Sequence, residues 1–245
     1  LRILRVVRFS AQLGFLIDPA TEDALRSLAG DLAYVSAERI QVELVKLLRS
    51  DHPDYILRLF DTGIAEVVLP ELVESAADPA RAQSMADSLK KVPPERSLRL
   101  ALLLHPLGEK QSQKLLRRLK FDNHTIDTVR RLVRWYGQPL GETPAQVRRS
   151  AAAIGAELFS QVLQVQGTYR DVTDVRRIWE EIAEKGQCIS LKTLCITGND
   201  LIALGMRPGR AVGALLGELF EEVLEDPEHN DREYLIERAK RKLER

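Results

Sequence analysis

Apolar residues in this chain return every three or four positions and nowhere settle into alternation, a pattern that rules out a sheet before anything else is read. In Leu1-Arg2-Ile3-Leu4-Arg5-Val6-Val7-Arg8-Phe9, the residues Ile3, Leu4, Val6 and Val7 supply the apolar faces of a helix at about 100° per residue. The same period recurs in Ile40, Leu44, Leu47 and Leu48 behind a capping Ser36. Leu, Ala, Arg and Glu dominate, aromatics are only 5%, and no alternating run meets a hairpin turn. An all-α architecture follows. At 245 residues the chain is long enough to bury a sizeable core in one or two domains.

Start and stop signals divide the helices. The first is expected to end at Gly14, the next to start at Asp18-Pro19 or Thr21, and a fourth to open at His52-Pro53 and end near Gly63. Leu98 to Leu104 is compact and apolar enough for a core helix. Lys114 to Leu119 reads as helical, followed by a turn whose Asn123 or Thr125 caps a helix through Trp135. Thr143-Pro144 is a cap with proline at the first helical position, and a helix-rich stretch from Ala151 to Leu163 follows it. Trp179 and Ile182 fall on an apolar stripe in Val172 to Ala183, a pattern of core residues more than of a base-stacking platform. Clustered exposed aromatics are not expected. Thr197 or Asn199 starts a helix that ends before Gly205, and Pro208-Gly209 turns into another.

Charge narrows the function. The 36 basic and 36 acidic residues cancel, so any nucleic-acid surface has to be local. Arg2, Arg5 and Arg8 repeat at a spacing of three, and guanidinium forks suit phosphates or nucleobase edges, although a solvated helix face has the same pattern. Between Lys110 and Ser150 the bases are Lys110, Lys114, Arg117, Arg118, Lys120, Arg130, Arg131, Arg134, Arg148 and Arg149, against Asp122, Asp127 and Glu142. Glu218, Glu221, Glu222, Glu225, Asp226 and Glu228 reverse the sign later. A phosphate backbone is drawn to the first segment and repelled by the second. Arg207 and Arg210 flank a helix start whose free amides suit a phosphate, while Gly205, Gly209, Gly213 and Gly217 at four-residue intervals suit close helix packing equally well.

Several classes drop out. Cys188 and Cys195 have no second pair or clustered histidines, so no zinc site is expected and both thiols are expected buried or half-buried. His52, His124 and His229 carry no pattern for catalysis or metal binding. No phosphate-binding Gly-rich loop, nucleophile elbow or His-Glu-x-x-His is present. No apolar run approaches the roughly 18 residues of a membrane helix. With no signal peptide visible, a cytoplasmic protein without a membrane partner is expected.

Arg2 to Phe9, Leu13-Gly14-Phe15, Ile17-Asp18 and Ser36 to Leu48 together resemble the neck of bacterial tRNA nucleotidyltransferases, the CCA-adding enzymes and their poly(A) polymerase relatives. The likeness resumes at Leu69-Pro70-Glu71-Leu72, at Thr197 to Ile202 and at Gly205 to Gly213. The resemblance implies an elongated helical neck over residues 1–70 that recognises the nucleotide, a body over 71–140 and a tRNA-binding tail over 141–245. In this family a Glu-Asp-x-x-Arg motif reads the Watson–Crick edge of C or A. Arg2 matches its last position, with the Glu and Asp expected just before Leu1.

By the same resemblance, Arg2 faces the base while Arg5 and Arg8 support it or bind phosphate. Arg117, Arg118, Arg130, Arg131, Arg134, Arg207 and Arg210 are the candidates for tRNA contact. No catalytic or metal-binding residue is expected in this chain. The family's head, with its Gly-Gly turn and an Asp-x-Asp pair for two magnesium ions, is not represented, so the chain alone is expected not to add nucleotides. Leu1 and an uncapped first helix fit a piece of a longer protein that uses tRNA, CTP and ATP. Relatives often carry His-Asp-x-Gly-Lys where this chain has His105-Pro106-Leu107-Gly108-Glu109, and without the carboxylate that segment is expected to be a structural helix end. Two alternatives stand beside this reading: a poly(A) polymerase, and a non-catalytic helical scaffold that binds protein.

Overall fold

Helix α1 (Arg2–Leu13) stops where expected, at Gly14, whose φ of 69° is left-handed and whose Cα faces His52 so closely that a Cβ would lie 3.1 Å from Nε2. The structure, a computed structural model, describes residues Leu1–Glu244. Those residues form α-helices joined by short 3₁₀ turns and contain no strand, as the periodicity requires. None of the helices is long and apolar enough to cross a membrane.

The chain separates into two units, 1–138 with 161–171, and 139–160 with 172–245. In the first, α1 packs against α3 (Ala37–Leu48), after α2 (Pro19–Leu28) has begun at Asp18, whose carboxylate accepts from the Thr21 amide. Two short helices, α4 (Leu57–Asp61) and α5 (Ile64–Val68), flank Gly63, and α6 (Pro79–Lys90) is capped by Asp78. The predicted core helix is α7 (Arg96–Leu104), with every residue from Leu98 to Leu104 buried, as befits a segment apolar on all sides. It packs on α9 (Asn123–Trp135), which also pairs with α8 (Gly108–Arg118). Helix α8 starts well before Lys114, because Gly108 already opens it after the 3₁₀ turn His105–Leu107, and it ends at Arg118. The cap of α9 is Asp122, which accepts from the Thr125 amide at 2.8 Å, one residue earlier than expected. A charged acceptor there also meets the helix N-terminal dipole.

One buried arginine fastens this unit. Arg99 on α7 donates to the carbonyls of Leu48 and, at 2.7 Å, Ser50, holding the end of α3. Burial pushes its guanidinium pKa down. The donors nonetheless meet the negative end of a helix, where a cation is favoured.

In the second unit, α10 (Pro144–Ile154) starts with a full capping box between Thr143 and Gln146. The expected run from Ala151 to Leu163 is broken at Gly155, φ 88°, so α11 (Ala156–Gln166) is a separate helix, of which residues 156–160 belong to this unit and the rest to the first. Helix α12 (Thr173–Glu184) carries Trp179, which packs on Phe159 at 4.8 Å between ring centroids and donates to Ser160 Oγ at 3.1 Å. It is a packing residue. The core of this unit is built by Leu201 of α13 (Gly198–Ala203), Val212, Leu215, Leu219 and Val223 of α14 (Arg210–Glu225), and Leu235 of α15 (Arg232–Leu243).

Two expectations fail here. Gly205, Gly209, Gly213 and Gly217 do not form a packing ladder, since an added Cβ at any of them would meet nothing within 4 Å. The close approach between these helices is at Gly198, where a Cβ would lie 3.2 Å from Val212 Cγ1. Of the two cysteines, Cys188 is buried but Cys195 is exposed, and both are free.

Candidate nucleotide and nucleic-acid interface

A step of three residues falls 60° short of a helical turn, so a row of arginines at that spacing winds around its helix. Arg2 and Arg5 remain exposed on α1, whereas Arg8 has rotated into the contact with α3 and is buried. There it meets Glu43, buried on the apolar face of α3. Arg8 Nε lies 2.6 Å from Glu43 Oε2, and Arg5 Nε donates to Glu43 Oε1 at 3.0 Å. Arg8 also donates to Gln12 at 2.5 Å and sits 3.7 Å from the centroid of the Phe9 ring. Of the two roles expected for Arg8, support of its neighbours or phosphate contact, burial against Glu43 suits the first. Glu43 was missed, although an acidic residue one position from Leu44 and three from Ile40 signals a buried cation partner.

Above this ion pair lies an open groove of about 410 Å³ lined by Arg2, Arg5, Val6, Phe9, Ser10 and Phe15. Phe9 is 49% and Phe15 62% exposed, so clustered exposed aromatics are present after all, beside two guanidinium forks. Flat apolar rings and planar donors are what a nucleobase needs on its face and its edge. Tyr55 Oη donates to the Phe15 carbonyl at 3.2 Å and steadies the far side.

The basic segment is sorted by its partners. Arg118 forks onto Glu71 at 2.9 and 2.8 Å and donates to the Val68 carbonyl at 3.0 Å. Arg130 is held by Glu109 and by Asp127 at 2.6 Å, and Arg131 lies 3.9 Å from Asp127. Arg148 is buried and donates to the carbonyls of Leu224 and Glu225, each at 2.7 Å, while Arg149 pairs with Glu221 and Glu225. Much of the basic excess thus holds helices together. What stays exposed without an ion pair among the described residues is Lys110, Lys114 and Arg117, which share one face of α8, with Lys120 and Arg134 nearby in sequence. The later acidic run is partly neutralised, since Glu222 pairs with Arg238 and Lys242, and Glu218 with Lys242.

In the second unit, Arg207 and Arg210 are exposed and carry no ion pair among the described residues. Arg210 opens α14, whose N-cap Gly209 supplies no side-chain acceptor, leaving its first amides available. The Thr197–Asp200 capping box is tied to α15 by Arg232, which bonds Asp200 at 2.7 Å. That guanidinium, then the Thr197 amide and hydroxyl, pull the Asp200 carboxyl down to about 2.

His105 closes α7 as expected. Its Nδ1 lies 2.8 Å from the Leu102 carbonyl, and burial lowers its pKa. No group of three His, Cys, Asp or Glu side chains among the described residues converges to hold a metal.

Residues 14–75 match the family model described as the probable RNA and SrmB-binding site of polymerase A. Residues 93–239, more than half of the chain, match the model for tRNA nucleotidyltransferase domain 2. The chain is 28% identical to the CCA-adding enzyme of Levilactobacillus brevis over 96% of its own length and 58% of that protein. With the CCA-adding enzyme of Bacillus velezensis it shares 31% identity over 91% of its length and 56% of that protein. It therefore spans less than two thirds of these relatives. The Bacillus stearothermophilus CCA-adding enzyme solved in complex with CTP superposes with a TM-score of 0.73 at 25% identity, over 99% of this chain and 62% of that one. Helical fold, arginine-bearing first helix and both matched segments agree, and the chain belongs to the tRNA nucleotidyltransferase family.

Proposed function

We propose that this chain is the nucleotide-recognising and tRNA-binding helical part of a CCA-adding tRNA nucleotidyltransferase, which adds C and A to the tRNA 3′ end. The observation that carries the reading is the groove on α1, where Arg2 and Arg5 stand exposed beside Phe9 and Phe15 over a buried Arg8–Glu43 support. Arg2 bonds the edge of the incoming CTP or ATP base. Arg5, with only its Nε engaged by Glu43, holds it in place or takes phosphate. Lys110, Lys114, Arg117 and Arg134 in the first unit, and Arg207 and Arg210 with the α14 amides in the second, contact the RNA backbone, as duplex RNA is bound mainly through shape and phosphates. Magnesium for phosphoryl transfer belongs to a catalytic head outside these residues.

Two experiments test this. The chain is titrated with tRNA lacking its terminal CCA, and with an unstructured RNA of equal length, at several salt concentrations. Preferential, salt-dependent tRNA binding is expected; equal binding of both RNAs overturns the tRNA assignment. In the complete enzyme, Arg2→Ala should weaken C and A selection, and unchanged selectivity sinks the role of Arg2. The polymerase A description matched by residues 14–75 favours one second reading, a poly(A) polymerase, which sequencing of the added nucleotides separates from CCA addition.

A further inference from the structure

The first unit contains a cavity of about 780 Å³ that shares no residue with the groove on α1. Residues of α6 line it together with an aromatic wall. His105 stacks on Tyr136 at 3.9 Å between centroids and 18° between planes, and Tyr136 stacks on Tyr169 at 4.5 Å and 26°. Tyr169 Oη donates to the Tyr136 carbonyl, which fixes the stack. The stack is left open at one end, where Tyr169 is still 44% exposed.

The polar lining is selective. With Nδ1 bonded to the Leu102 carbonyl, His105 carries its proton there, so the neutral ring offers Nε2 as an acceptor, and no described residue bonds it. Asp87, held by Gln83 at 2.9 Å, adds a second acceptor. Two cations complete the lining: Lys91, donating to the Thr168 carbonyl at 2.8 Å, and Arg81, whose side chain is 79% exposed and lies 3.4 Å from Asp78. An aromatic wall with hydrogen-bond acceptors and cations in one lining describes a ligand with a planar ring, an amino group and an anionic end. The volume lies within the range of ordinary small-ligand sites, roughly 300–1,000 Å³.

We propose that this cavity is a second nucleotide site, taking an amino-bearing base, adenine or cytosine, with its phosphate at Arg81 and Lys91. The base comes either from a free mononucleotide or from an unpaired nucleotide of a bound RNA. The second source rests on the tRNA-binding reading; the first does not.

The test uses the intact chain with AMP, CMP, UMP, adenosine and inorganic phosphate as probes, read by the ¹⁵N resonance of His105 Nε2 and the ring signals of Tyr136 and Tyr169. AMP and CMP are expected to shift these signals, with UMP and adenosine about tenfold weaker, the loss of roughly one good hydrogen bond or charge contact. Arg81→Ala should weaken AMP about tenfold and leave adenosine unchanged. His105→Phe, which keeps the ring stack, should abolish the preference for AMP over UMP.

A parallel arm irradiates the chain with tRNA and maps crosslinked peptides by mass spectrometry. A crosslink at Thr168–Arg170 without mononucleotide binding assigns the site to an RNA base. Mononucleotide binding without tRNA binding keeps the site and removes the RNA reading. Silent His105 and tyrosine signals up to about 10 mM nucleotide, with tRNA bound but no crosslink at Tyr169, overturn the proposal. Nucleotide binding indifferent to both Arg81→Ala and His105→Phe overturns it as well.

Discussion

Arg8 Nε lies 2.6 Å from Glu43 Oε2 with each side chain more than nine-tenths buried, an ion pair sealed between the first and third helices. Neither of those two atoms makes a hydrogen bond. The contact is one of charge, and directional bonding comes from Gln12 on the arginine and Arg5 on the carboxylate. Such a pair costs desolvation to form and costs more to break.

Glu43→Ala should therefore destabilise the chain by about 3–5 kcal/mol, since it leaves a buried guanidinium without its counter-charge. Replacing both partners, Arg8→Met with Glu43→Met, should recover most of that loss. Urea unfolding followed by circular dichroism checks both, and a double variant no more stable than Glu43→Ala would refute the account.

Arg148 holds the last carbonyls of α14 from α10, at 2.7 Å to Leu224 and to Glu225. Arg148→Met keeps the apolar stem and removes both charged donors, at an expected cost of about 2–4 kcal/mol. Hydrogen exchange should quicken first at the end of α14. Protection unchanged there would show that the helix end is secured by other contacts.

Lys114→Ala and Arg117→Ala should each lower the salt dependence of RNA binding by roughly 0.7–0.9 in the log–log slope while leaving unfolding midpoints unchanged. Arg118→Ala should do the reverse, because its fork is committed to Glu71 and Val68. Its expected effect is about 1 kcal/mol of stability with no change of slope. Equal slopes for all three variants would remove α8 from the interface.

Asp200 titrates at about 2 in the folded protein against an ordinary 3.8, held down by Arg232 and then by Thr197. A depressed folded value means that the capping box stabilises fully above the ordinary carboxylate range and loses that contribution as pH falls through about 2. The amide resonance of Thr197, which donates to the Asp200 carboxylate at 2.7 Å, should broaden or shift between about pH 4 and pH 2. In Asp200→Asn that transition should vanish; a transition that persists would place the titrating group elsewhere.

Helix boundaries were largely legible in the sequence because they are set locally. Gly14, Asp18, Ser36, Thr143 and Thr197 lie at helix ends in the structure, where backbone geometry and nearby amides leave few alternatives. The misjudged places are also local but subtler. Asp122 outcompetes Asn123 and Thr125 as a cap, and Gly155 interrupts a stretch whose apolar residues continue past it. The family signature was equally readable, carried by linear motifs in the right order.

The candidate site was legible only as a set of residue types. Arg2, Arg5 and Arg8 look alike in the sequence, and the 60° drift per step becomes decisive only when α3 arrives on one side with Glu43. Arg118 and Arg148 look as free as Arg117 until Glu71 and the end of α14 come within reach, 47 and 76 residues away in the chain. His105, Tyr136 and Tyr169 gave no sign of one another, each being more than 30 residues from the next along the chain, and only the fold brings the Tyr169 hydroxyl onto the Tyr136 carbonyl. Sequence alone determined the all-helical class, the principal helix ends and the family, because short-range sterics, capping and motif order carry that information. Tertiary structure alone decided which cations face water and which are spent on holding helices, because a charge is neutralised by whatever lies within a few ångströms, and those neighbours are set by packing between distant segments.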